Sequence, residues 1–158
     1  FILLIAISAV AQEKAVVKSI TDGDTIAVIS GGDYIKVRLI GIDCPESRQN
    51  AKALRDSDRS GKDVETILYQ GKQATAFMKS VLRKGDIVSL EFDAVQFDKY
   101  GRTLAYVYLS DGRMLNNIII SSGYASPLTI APNVKYKDRF LKSYQTAREK
   151  KIGLWSDK

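Results

Sequence analysis

"VRLIGIDCPE", residues Val37–Glu46, opens as a strand and closes in a knot of carboxylates. By the two-residue period of a strand, Ile35, Val37 and Leu39 share one face, and Lys36, Arg38 and Ile40 share the other. Asp43 and Glu46 follow, with Pro45 stiffening the turn between them. Upstream, "TDGDT" (Thr21–Thr25) sets Asp22 and Asp24 around Gly23. On its own that is the composition of an ordinary turn. "TIAVIS" (Thr25–Ser30) and "YIKVRLIGI" (Tyr34–Ile42) read as strands, and Gly31–Asp33 between them as a hairpin turn. In such a hairpin the start of the first strand lies beside the end of the second. Asp24 and Asp43 then meet at one end of the sheet. Adjacent carboxylates repel one another and favour a cation between them. Oxygen donors without imidazole or thiolate select a hard ion: Ca²⁺, Mg²⁺ or Mn²⁺.

Working outward, "KAVVKSI" (14–20), "DIVSLEF" (86–92) and 102–109 complete a set of five strands. Ala74, Phe77, Met78, Val81 and Leu82 stand on one face of a helix that Gly85 closes. A short helix is expected before Gly123, and a longer one over 136–151 with Tyr136, Phe140, Tyr144 and Ala147 on one side. Residues 47–68 lack clear periodicity and read as a long surface loop with room for a short helix; 127–133 read as another loop. Five short strands with a helix after the third predict an α+β domain: a five-stranded OB-type barrel with about three helices. A generic α+β sheet with helices on one side is the alternative.

Composition narrows the chemistry. The 158 residues suit one domain, expected over 12–158, and the net charge of +6 favours polyanionic partners. There is no histidine, which excludes every imidazole-dependent mechanism. The lone cysteine, Cys44, makes neither an internal disulfide nor a thiolate zinc site. Phe1–Ala11 is almost wholly apolar, too short for the ~20 residues that span a bilayer. It fits part of a secretory signal, with Ala9-Val10-Ala11 as the cleavage site, so export is expected.

"DGDT" (Asp22–Thr25), "VRLIGIDCPE", "GKQATAFMK" (Gly71–Lys79), "DKYGRTLAYVY" (Asp98–Tyr108) and "GLWSD" (Gly153–Asp157) occur in an order that resembles the staphylococcal nuclease (thermonuclease) family. The resemblance runs from about Val16 to Asp157. It implies an OB barrel with three helices and Ca²⁺-dependent cleavage of DNA and RNA to 3′-phosphate products. It further implies that Asp24 and Asp43 bind Ca²⁺ through their side chains and Cys44 through its main-chain carbonyl. Glu46 would be the general base, and Arg38 and Arg102 would hold the scissile phosphate. Lys99 and Tyr100 are expected to contact the substrate, and the protein to act as a monomer. Three departures stand out. Cys44 replaces the usual threonine, 47–68 is longer than in the staphylococcal enzyme, and 126–133 lacks two tyrosines that contact the nucleotide there. An OB domain that only binds nucleic acid would have no need of all five of Asp24, Arg38, Asp43, Glu46 and Arg102.

Overall fold

The computed structural model describes residues 12–156. The expected leader, Phe1–Ala11, lies outside them, as does Asp157 of the last motif. Strand β1 (Glu13–Asp22) turns at Gly23–Asp24 into β2 (Thr25–Ser30), its antiparallel neighbour. Gly31 and Gly32, with φ of 57° and 95°, make the tight turn into β3 (Asp33–Leu39). Positive φ at both central residues matches the twist of a two-residue hairpin, and glycine reaches it without steric cost. Strand β5 (Ile87–Glu91) closes on β1, and β6 (Thr103–Leu109) bridges β5 and β3. The result is a closed barrel in the order β1-β2-β3-β6-β5, with β3 and β6 parallel.

The barrel interior is filled by alternate positions of its strands, among them Val17, Ile26, Val28, Val37, Leu39, Leu90 and Val107, each at most 1% exposed. Helix α2 (Val64–Val81) adds Ala74 and Met78 to that core. Phe77, on the expected stripe, stacks on Tyr124 at 4.5 Å between ring centroids. Helix α3 (Leu115–Ser121) and helix α4 (Lys137–Glu149) follow β6, and a 3-10 turn covers Gly153–Trp155. Phe140 and Ala147 of α4 are buried, and Tyr136 and Tyr144 are half-buried. Among the described residues no helix is long and apolar enough to cross a membrane.

Three departures from the expected elements all lie near the acidic turn. The third strand was expected to continue to Ile42, but it stops at Leu39. Gly41 has φ of 81°, and a Cβ there would fall 2.5 Å from the Phe140 ring. The chain therefore leaves the barrel and forms β4 (Gly41–Asp43). Strand β4 pairs with β7 (Ser126–Leu128), which overlaps the stretch expected as a loop. The third departure concerns 47–68, which is more helical than expected. It holds helix α1 (Ala51–Ser60) and the first turn of α2. The Asn50 side chain caps α1 by accepting from the Ala53 amide at 2.9 Å, and Gly61 ends it in the left-handed region. The described chain thus has four α-helices, one more than expected.

Candidate active site

The strand break carries Asp43 across the mouth of the barrel. On β3, Arg38 pairs with Thr25 of β2, so its side chain stands next to Asp24. The Leu39 amide donates to the Asp24 carbonyl at 2.9 Å, tying the two strand ends together. Arg38 Nη2 lies 3.1 Å from Asp24 Oδ2 and 2.9 Å from Asp43 Oδ1. Its Nη1 donates to the Leu39 and Ile42 carbonyls, both at 2.8 Å. One guanidinium therefore gathers both carboxylates and the strand break. Burial works against its charge, but Asp24 and Asp43 more than offset this and raise its pKa above the usual arginine value.

Asp24 is held in the turn as well. Its Oδ1 accepts from the Thr25 hydroxyl at 3.1 Å and its Oδ2 from the Cys44 amide at 2.8 Å. The Cys44 side chain packs under Gly23, where a Cβ would come within 2.8 Å of Sγ. Burial, then the charge of Asp24, pushes the thiol well above its ordinary pKa. Its carbonyl faces the acids, and Lys52 Nζ donates to it at 3.1 Å. Gly71 of α2 abuts the same turn; a Cβ there would sit 2.1 Å from the Glu46 carbonyl oxygen.

Glu46 is gripped from α1. Lys52 Nζ lies 3.0 Å from its Oε1, and Asn50 Nδ2 donates to its Oε2 at 2.7 Å. Lys52 also reaches Asp43 Oδ2 at 3.2 Å and Asp56 at 3.6 Å. Burial opposes the Lys52 charge, but Asp43 and Glu46 raise its pKa above the usual lysine range. Asp43 itself is raised, by burial first, with Lys52 pulling the other way. Asp22 is raised as well. Burial, then the charge of Asp24, pushes it up to about 6.

Arg102 enters from the head of β6. Asp98 orders it by accepting from its backbone N–H at 3.0 Å and from Nε at 2.7 Å. Among the described residues no hydrogen bond engages its Nη groups, and Tyr100 lies beside it with the guanidinium carbon 5.6 Å from the ring centre. Asp24, Arg38, Asp43, Glu46, Tyr100 and Arg102 all line one cleft of about 440 Å³. A second cleft of about 390 Å³ adjoins it through Arg38, Tyr100, Arg102 and Leu128. This one is walled by apolar groups, including Phe97, Leu104 and Ile130, and Lys99 lies on its edge. Lys99 sits over the Tyr100 ring at 5.0 Å and does not line the acidic cleft.

Residues 36–157 match the family described as staphylococcal nuclease homologue. The chain belongs to the staphylococcal nuclease family. It is 36% identical over 143 residues to the thermonuclease of Staphylococcus intermedius, spanning 90% of this chain and 76% of that protein. It is 34% identical over 138 residues to the thermonuclease of Staphylococcus hyicus, covering 87% and 73%. It is also 35% identical over 137 residues to the SPbeta prophage-derived endonuclease YokF of Bacillus subtilis, covering 85% of this chain and 41% of YokF.

Within this family member, the six catalytic and metal-binding positions expected from sequence come together. Among the described residues no group of three acidic, His or Cys side chains is already spaced as a metal cage. The donor chemistry nonetheless fits a hard ion, because Asp43 Oδ2 and the Cys44 carbonyl converge on one cation, the Lys52 ammonium. Sequence reasoning missed Lys52 and Asn50. Both follow from α1, whose cap Asn50 and left-handed Gly61 were visible in the sequence.

Proposed function

We propose that this nuclease is a Ca²⁺-dependent endonuclease that hydrolyses DNA and RNA and leaves 3′-phosphate ends. The observation that carries the reading is the single cleft in which Asp24, Arg38, Asp43, Glu46 and Arg102 meet. Family membership supports phosphodiester hydrolysis as the reaction.

Asp24, Asp43 and the Cys44 carbonyl would hold the ion, which when bound supplies Lewis-acid charge next to the phosphate. Glu46 takes the proton of the attacking water. Asn50 Nδ2 donates to its Oε2, which keeps the carboxylate turned to the cleft. Water oxygen bonds to phosphorus, the P–O5′ bond breaks, and the 5′ oxygen leaves as a hydroxyl with a solvent proton. Arg102 presents its two Nη groups to the phosphate oxygens, a bidentate match for a planar fork. Arg38 keeps its charge beside the same centre and holds both carboxylates. Preorganised donors of this kind are each worth several kcal/mol, of order 10²–10³ in rate. The adjoining apolar cleft gives a nucleobase a place to rest, with Phe97 and Tyr100 in place of the missing tyrosines. The apolar Phe1–Ala11 segment supports an exported enzyme; N-terminal sequencing of protein recovered from medium tests that.

The test is digestion of single-stranded DNA and RNA with Ca²⁺, with Mg²⁺ and with chelator, followed by end-group analysis. Cleavage with Ca²⁺, loss with chelator and 3′-phosphate ends are expected. Undiminished cleavage in chelator, or by Glu46→Gln and Arg102→Leu, would refute the mechanism.

A further inference from the structure

We propose that Lys52 is a resident cation of the active site. Its ammonium holds the metal-binding oxygens together in the metal-free protein and must be expelled when a divalent ion takes them. The inference rests on the metal reading above and adds an exchange step to it.

The geometry points there directly. Lys52 Nζ lies 3.2 Å from Asp43 Oδ2, 3.1 Å from the Cys44 carbonyl and 3.0 Å from Glu46 Oε1. Two of these three atoms are the proposed metal donors, and the third belongs to the proposed base. A Ca²⁺ ion approaches its oxygens to about 2.3–2.6 Å. An ammonium already bonded to the same oxygens cannot stay while a divalent ion does so, since the two cations would repel at contact distance.

The cluster also explains why a lysine is there. Asp22, Asp24, Asp43 and Glu46 share one cleft, and Arg38 reaches only Asp24 and Asp43. Without an ion, Glu46 has no other cationic partner among the described residues. The side chain has somewhere to go when displaced. Asp56 lies one turn along α1, already 3.6 Å from Nζ, and it is not a proposed metal ligand. Helix α1 itself buries a single residue, Ala53, so the helix as a whole is only lightly tied to the core, and the exposed side of its Lys52 stem leaves the ammonium room to swing toward Asp56. Metal loading is therefore an exchange of one cation for another, and Lys52 sets how much free ion the enzyme needs.

Calorimetric titration of Ca²⁺ into the wild type, Lys52→Met and Arg55→Met decides the matter. Arg55 is an exposed cation on the same helix that touches none of the donors. Lys52→Met is expected to bind Ca²⁺ about tenfold more tightly than the wild type, within the usual range of coupling between sites. Arg55→Met should bind like the wild type. By linkage, Ca²⁺ should raise the melting temperature of Lys52→Met more than that of the wild type. Equal affinity in wild type and Lys52→Met would overturn the exchange while leaving the metal reading intact. Equal tightening in both variants would overturn it too, as a general charge effect. Binding by neither the wild type nor Lys52→Met would overturn the exchange and the metal reading together.

Discussion

Asp22→Asn should make the metal-free protein more stable at neutral pH. Asp22 is half-buried beside Asp24, and burial followed by that charge raises its pKa from 3.8 to about 6. A carboxyl whose folded pKa lies above its unfolded value binds more protons when folded. It contributes stability below about pH 4 that is lost as pH rises through about 6. At about 1.4 kcal/mol for each tenfold change in proton affinity this is worth about 3 kcal/mol at most, and solvent screening reduces it to about 1–2 kcal/mol. Asparagine keeps the oxygen that accepts the Asp24 amide at 3.3 Å and removes the charge. The expected gain at pH 7 in chelator is about 1–2 kcal/mol, or roughly 2–8 °C in Tm for a domain of this size. Urea unfolding of both proteins from pH 4 to pH 7.5 is the assay. The difference between them should be small at pH 4, open through pH 5–6 and level off above. A difference that is constant with pH, or a variant less stable at pH 7, would refute the reasoning. Saturating Ca²⁺ should shrink the gap, because a bound ion makes the Asp22 charge welcome.

Gly71→Ala places a methyl 2.1 Å from the Glu46 carbonyl oxygen. It should lower stability by about 1–3 kcal/mol through overpacking, and lower kcat further by shifting Glu46; thermal melts and steady-state kinetics separate the two. Asn116→Leu strips the Val107 amide and the Ile40 carbonyl of their buried partner, each now bonded at 2.9 Å, and should cost about 2–4 kcal/mol in urea unfolding. Phe97→Ala should raise KM for single-stranded DNA with little change in kcat, by an amount near the ~1–3 kcal/mol of one stacked base.

The barrel was legible in the sequence because its strands alternate, and its interior positions, such as Val37 and Leu39, are the ones that alternation picks out. Asp24 could be set beside Arg38 in advance because a hairpin register is fixed by its turn, here Gly31–Gly32, whereas Asp43 reaches the same end through the break at Gly41. The end of β3 was less legible. Ile40 and Ile42 continue the apolar run, and what ends the strand is the Phe140 ring against Gly41, a contact 99 residues away in the chain. Helix α1 was legible only as a short helix without bounds inside 47–68, for a different reason. It is bound to the rest by charge and caps, and a helix with one buried residue leaves no apolar stripe to read. Asn50 and Gly61 mark its ends, but caps without a stripe are weak signals. Lys52 was invisible for the same reason, since its meaning depends on the helix that aims it.

These two kinds of support divide the site. Asp24, Arg38 and Arg102 stand on or next to barrel strands, and Asp43 on the β4–β7 pair, where Arg38 holds it; hydrogen bonds and apolar core fix them before any ligand arrives. Glu46 does not. Its backbone leans on Gly71, and its carboxylate is held by Asn50 and Lys52 of the weakly buried α1 arm. The groups proposed to bind phosphate and ion are thus set by the part of the molecule that is costly to move. The group proposed to move a proton is set by the part that yields easily. Such a division lets the ion displace Lys52 without disturbing the arginines. It also implies that changes in α1 act on kcat and on metal affinity, while changes in the barrel strands act on stability first.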